Sequence, residues 1–167
     1  RLDVIRMAKL NLPYDPGAVK LLAGPQRIKS IVETGFEDRS VGMEITGHVR
    51  QAELFYGLPD GDLYHLSRIC KLRTHEAGTV LIHEGDPADR LFQLVDGRAE
   101  ARSGERVLGV LGADALFGEM GLVESAPRSA DVVITADARV IQIEIDQLER
   151  LMERQPRLGH LVMRNLA

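Results

Sequence analysis

A length of 167 residues fits one domain of about 100–150 residues with an extension. A net charge of −4 argues against a dedicated nucleic-acid surface, and the single cysteine, Cys70, excludes both an internal disulfide and a cysteine cluster for zinc or iron–sulfur. No apolar run approaches the roughly 18–20 residues that cross a bilayer, so no membrane segment is expected in this chain.

Residues 1–48 are weakly patterned. Leu2, Ile5 and Leu10 share a helical face before a stop at Pro13–Gly17, and Ile28, Ile31 and Val32 recur at helical spacing after Gly24-Pro25. Short helices joined by turns are expected here, as an extension or a linker from a host domain. The first residue is Arg1 and no signal-peptide pattern follows, so a host domain is expected upstream of residue 1.

The domain proper is expected over residues 49–167. A helical lead-in over 49–71 breaks at Phe55-Tyr56-Gly57-Leu58-Pro59. Asp60 or Asp62 is expected to cap the next helix, whose buried face is Leu63, Leu66, Ile69 and Cys70. From residue 72 the period changes. Short β-branched runs (Val80–Ile82, Leu91–Val95, Val107-Leu108, Val132–Ile134, Val140–Ile145) are separated by Gly85-Asp86-Pro87, Asp96-Gly97, Ser103-Gly104 and Asp137. That rhythm predicts a small antiparallel barrel or sandwich. In the last run Ile141, Ile143 and Ile145 alternate with Gln142 and Glu144. Helix returns after Asp146, expected to cap with Glu149 reaching back, and presents Leu148, Leu151 and Met152. Pro156 then starts a second helix with a face of Leu158, Leu161, Val162 and Leu166. Helices leading in, strands, then helices give an α+β fold with segregated layers.

One stretch, Leu116 to Ala130, interrupts the strand rhythm. A one-turn helix after Gly118 would point unpaired N–H groups outward towards an anion. The Arg128 guanidinium would match two phosphate oxygens, and a buried Glu119 carboxylate would need donors such as ribose hydroxyls. These residue types suggest a site for a phosphorylated sugar. The bland alternative is a structural Arg128–Glu119 ion pair in an irregular loop with turn glycines at 118 and 121.

The run Phe117-Gly118-Glu119-Met120-Gly121-Leu122, followed by Pro127-Arg128-Ser129-Ala130, resembles the phosphate-binding cassette of the cyclic-nucleotide-binding domain family, the type found in catabolite activator protein, protein kinase A regulatory subunits and cyclic-nucleotide-gated channels. Upstream, Gly78 to Asp89, with Glu84-Gly85-Asp86, and Val95-Asp96-Gly97 resemble the same family in the same order, and the likeness spans about residues 50–167. It implies an antiparallel β-roll, jelly-roll-like, of about eight strands with flanking helices. It implies that Glu119 accepts a hydrogen bond from the ribose 2′-hydroxyl and that Arg128 pairs with the cyclic phosphate. Backbone amides at Gly118–Met120, with Ser129 and Ala130, would complete the cradle, Leu108, Leu116 and Phe117 would help line the pocket, and the helix at 156–167 would be a moving lid over the base. Serine rather than threonine at 129 tilts the implied ligand towards cyclic AMP, with cyclic GMP second. One departure concerns the local turn: Asp114-Ala115-Leu116 stands where the family often has Gly-Asp.

The resemblance implies a ligand-sensing regulatory domain that passes a conformational change through its C-terminal helices to a host such as a channel or transporter. It is expected to be cytoplasmic, on its own or at the cytoplasmic face of a membrane protein, and to join any homo-oligomer through the host. Leu12-Pro13-Tyr14-Asp15-Pro16 resembles the end of small mechanosensitive-type channels that carry this sensor. No serine or cysteine triad, P-loop or paired-carboxylate motif is present, so neither catalysis nor a metal or other cofactor is expected. His48, His65, His75, His83 and His160 lack ligand spacing. The alternatives are an interaction domain of the same fold without a ligand, and the effector domain of a transcription regulator, whose DNA-binding part would lie outside this chain.

Overall fold

The computed structural model describes residues 39–167. The short helices expected earlier in the chain, and the Leu12–Pro16 stretch, lie outside the described residues. Helix α1 (Arg39–Gln51) runs through position 48, where the sequence divides extension from domain. Its Ile45 and Val49, one turn apart, are both fully buried. A 3-10 turn (Glu53–Phe55) and Gly57, at φ 85°, then redirect the chain into α2 (Asp60–Ser67).

The middle of the chain is antiparallel. Strands β1 (Cys70–His75), β2 (Val80–Ile82), β3 (Arg90–Ser103), β4 (Arg106–Leu111), β5 (Leu116–Phe117) and β6 (Asp131–Glu144) form one sheet in the order β1-β6-β3-β4. Strand β2 also pairs with β6, and β5 with β3. Helices α3 (Ile145–Arg154) and α4 (Pro156–Leu166) follow. The expected α+β class and antiparallel roll are thus observed, with six strands among the described residues, close to the eight or so expected. The difference has a physical origin: Asp96-Gly97 and Asp137, expected as separators, are bulges inside the two 14-residue strands β3 and β6, where the register shifts between Leu94 and Ala99. Each long strand bends there without ending. Ser103-Gly104, by contrast, does turn the chain, from β3 into β4.

Two expected caps are corrected. The residue preceding α2 is Pro59, and Asp60 instead accepts a bond from Arg50 at 2.6 Å. Glu144 precedes α3, and Asp146, already inside the first turn, pairs with Arg150 four residues on. Pro156 does open α4, where its missing N–H costs no helix bond.

The period of two along β3 and β6 sorts their side chains into two cores. Leu91, Val95, Ile141 and Ile143 pack with α1, α2, α3 and α4 on one face, and Ile145 joins them. Phe92, Leu94, Ala99, Val132, Ile134 and Val140 fill the interior of the roll with Ile82 and Phe117. Burial of each large aliphatic side chain contributes about 1.5–3 kcal/mol, so both faces hold the long strands in place. No helix among the described residues is long and apolar enough to cross a membrane.

Candidate functional site

The site is assembled from two segments far apart in sequence. The first is the end of β5. Phe117 lies opposite Phe92 of β3, and the two rings stack 5.4 Å apart. Gly118 follows with φ 85°, a left-handed conformation that a side chain would strain, and a 3-10 turn runs over Glu119–Leu122. The Gly121 amide makes the first bond of that turn, to the Gly118 carbonyl at 3.3 Å, so the amides of Glu119 and Met120 precede the turn's own ladder. Gly121 is closely packed, since a Cβ there would lie 2.7 Å from Ile145 Cδ1 and 2.8 Å from the Ala88 carbonyl.

The second segment is Arg128 to Asp131. The Arg128 amide donates to the Asp86 carbonyl and its carbonyl accepts from the Gly85 amide, both at 2.8 Å. The Glu84 amide donates to the Asp131 carboxylate at 2.7 Å. These bonds stitch the Arg128 backbone to the loop after β2. Its side chain reaches across to the cassette, where Nη1 donates to the Gly118 carbonyl at 3.3 Å and Nη2 to the Arg90 carbonyl.

Burial lowers the Arg128 pKa from the usual arginine value. The carboxylates of Asp89, Glu119 and Asp86 oppose that shift, and the Arg90 cation adds to it. An arginine stays protonated throughout, so what the shift describes is a partly desolvated cation among three carboxylates. A desolvated guanidinium whose bonds go to main-chain carbonyls can exchange them for an anion that offers two oxygens.

The expected site residues are distributed as follows. Gly118, Glu119 and Arg128 come together, with Phe117 buried beneath them. Met120 is half exposed at the turn, Ser129 is exposed and Ala130 partly buried. Leu108 stands on β4 with 52% of its surface open. Leu116 faces away from Phe117 and packs against the helical-side core. The lid expected at 156–167 is docked on that same side: Leu158 and Val162 are fully buried, and the Asn165 amide donates to the Leu54 and Tyr56 carbonyls at 3.2 and 2.9 Å.

A cavity of about 70 Å³ beside Arg128 adds Asp86, Asp89 and Arg90 to the surroundings, with Ile82 and Phe92 as its apolar wall. No site role had been expected for these three residues. The signal for them is the position of the Gly85-Asp86 turn, which the bonds to Arg128 bring against the cassette.

Residues 72–155, half of the chain, match the sequence model of the cyclic nucleotide-binding domain. Glutaminase 1 of Bradyrhizobium diazoefficiens is 36% identical over 129 residues, which are 77% of this chain and 21% of that protein. A cyclic nucleotide-gated potassium channel of Mesorhizobium japonicum is 30% identical over 113 residues, 68% of this chain and 31% of the channel. This chain therefore spans a third or less of these relatives. Among solved structures, the regulatory domain of Toxoplasma gondii protein kinase A in complex with cyclic AMP superposes with a TM-score of 0.64 at 28% identity, covering 70% of this chain and 46% of that one.

Proposed function

The chain belongs to the cyclic nucleotide-binding domain family, and we propose that it is a sensor module that binds cyclic AMP, with cyclic GMP as the weaker ligand, between Phe117 and Ala130. The observation that carries this proposal is the position of Arg128. Its guanidinium is partly desolvated and lies 3.3 Å from the carbonyl of the glycine that starts the 3-10 turn. A cyclic phosphate offers two oxygens to that fork, and the amides of Glu119 and Met120 lie ahead of the turn's own bonds. The Glu119 carboxylate accepts from the ribose 2′-hydroxyl, Ser129 and Ala130 close the cradle, and Leu108 and Phe117 supply apolar wall. The solved relative from Toxoplasma, which carries cyclic AMP, supports this choice of ligand.

In this proposal the ligand shifts the docking of α3 and α4, and a host domain reads the shift, which cannot exceed the ligand's differential affinity for the two positions. The contact of Gly121 with Ile145, the first residue of α3, supports that route. A glutaminase and a potassium channel both contain a segment like this one, which supports a portable sensor acting in the cytoplasm, with catalysis or conduction supplied by the polypeptide it is joined to.

Calorimetric titration of both nucleotides tests the proposal. A charge-assisted hydrogen bond contributes roughly 1.5–3 kcal/mol, so Arg128→Ala should weaken binding by about 10–150-fold. Unchanged affinity in that variant would overturn the assignment. A wild-type protein that bound neither nucleotide would favour an interaction domain of the same fold.

A further inference from the structure

Asp114 is the only residue other than glycine with a positive φ among the described residues, at 66°. Glycine takes this conformation without strain, whereas aspartate tolerates it at a cost. The turn is fixed to β3 by two bonds, from the Asp114 amide to the Leu94 carbonyl at 2.7 Å and from the Leu94 amide to the Ala115 carbonyl at 2.9 Å. Four residues later comes Gly118. The Asp114 carboxylate lies 3.2 Å from Nδ1 of His48, in the last turn of α1.

A second residue holds the same point. Gln93 of β3, 1% exposed and opposite Leu116 of β5, donates from Nε2 to the His48 carbonyl at 2.7 Å. That carbonyl is one of the last four of α1, which have no partner within the helix. Among the described residues the Gln93 Oε1 is buried with no hydrogen-bond partner, a costly arrangement for an amide whose Nε2 bonds the end of α1. One turn before His48, Glu44 pairs with Arg139 of β6. The helix thus presents Glu44 and His48 to the roll and Ile45 and Val49 to the helical core.

We propose that His48 and Asp114, supported by Gln93, form a positioning contact through which α1 sets the turn leading into the phosphate cassette, so that docking of α1 and occupancy of the cassette are linked. The proposal rests on the cyclic-nucleotide reading of that cassette. Linkage of this kind is reciprocal: whatever displaces α1 weakens the ligand, and the ligand holds α1 by the same factor.

The test uses the full chain with Asp114→Gly, His48→Ala, the double variant and Asp114→Asn. Cyclic AMP affinity is measured by calorimetry, and amide hydrogen exchange is measured without nucleotide. If Asp114 only shaped the turn, glycine would relieve its strain and leave affinity equal or tighter. With the positioning contact, Asp114→Gly and His48→Ala each weaken affinity by roughly two- to fivefold, the range for an exposed pair. The double variant is no worse than the weaker single, because both remove one contact. Asp114→Asn, which keeps an acceptor oxygen, recovers most of the loss. Exchange in His48→Ala rises at residues 116–123 as well as in α1. An Asp114→Gly variant that binds as tightly as wild type, with exchange confined to α1, overturns the proposal. Should wild type bind no cyclic nucleotide, the ligand reading falls and the exchange pattern alone decides: spread to 116–123 supports the contact, and unchanged exchange there overturns it.

Discussion

The Arg128 guanidinium and the Gly118 backbone are fitted to one another: Nη1 lies 3.3 Å from the Gly118 carbonyl oxygen, and a Cβ on Gly118 would meet that nitrogen at 2.8 Å. The same Cβ would lie 2.9 Å from the Arg90 carbonyl, which belongs to a sheet strand and cannot swing aside. Gly118 also has φ 85°.

Gly118→Ala is therefore expected to act twice. The left-handed backbone and the crowding together should cost about 2–4 kcal/mol of stability, measured by denaturant unfolding. The displaced arginine should weaken cyclic AMP binding nearly as much as Arg128→Ala does. Because both changes remove one interaction, the double variant should bind no worse than Arg128→Ala alone. Additive losses in binding would show that Gly118 contributes separately from the arginine.

Gly97 and Gly85 separate contact from conformation. Both have positive φ, 85° and 88°. A Cβ at Gly97 would lie 2.5 Å from the Asp137 carbonyl and 2.6 Å from the Ala138 Cα, whereas one at Gly85 meets nothing within 4 Å. Gly85→Ala should thus cost only the backbone penalty of about 1–2 kcal/mol. Gly97→Ala adds a clash between two strand backbones and should cost about 1–3 kcal/mol more. Equal midpoints for the two variants in thermal unfolding would contradict the tight crossing of β3 and β6.

The same pair explains what the sequence could convey. The strand rhythm was legible because alternation and turn residues are local signals, and Ile141, Ile143 and Ile145 do share one core. Whether Asp96-Gly97 ends a strand or bulges within it depends on Asp137 and Ala138, some 40 positions later, so where each long strand is divided could not be read locally. Asp60 and Asp146 have the chemistry of helix caps, but Arg50 and Arg150 take their carboxylates. The cassette was legible as a contiguous motif. Its surroundings, Asp86, Asp89 and Arg90, depend on the pairing of residues 84–86 with 128–131, which no local pattern announces.

Cys70 gives a pH prediction. It is 4% exposed, its Sγ donates to the Leu66 carbonyl at 3.3 Å, and burial pushes its thiol pKa far up. In the unfolded chain the thiol ionises near pH 8.5. Above that pH the unfolded state loses a proton that the folded state keeps, so stability must fall as pH rises. The decline attributable to Cys70 is about 1.4 kcal/mol per pH unit, and it should be missing in Cys70→Ala. Parallel stability curves for the two proteins between pH 8 and 10 would refute it. Native Cys70 should likewise resist thiol reagents at neutral pH and react only on unfolding.

Arg139 joins α1 to the bulge of the roll. Burial works against its charge, yet the Asp96 and Glu44 carboxylates outweigh this and hold its pKa above the usual arginine value. Nη2 lies 2.7 Å from Asp96 and Nη1 2.5 Å from Glu44, while the Arg139 amide donates to the other Asp96 oxygen at 2.9 Å. Only about a quarter of the Arg139 and Glu44 side chains is exposed, so this pair is screened less than a surface one. Arg139→Met should destabilise by about 1–3 kcal/mol, because it strands the largely buried Glu44 carboxylate, whereas Asp96 keeps its bond from the backbone amide of residue 139. Glu44→Gln should cost less, since Asp96 still pairs with the arginine. In the double variant Arg139→Met recovers part of its loss, because the stranded charge is gone. If α1 is held through this bridge, hydrogen exchange in α1 should rise in each single variant while the β1–β6 amides keep their protection. Uniform loss of protection across the sheet would instead make Arg139 a part of the global core.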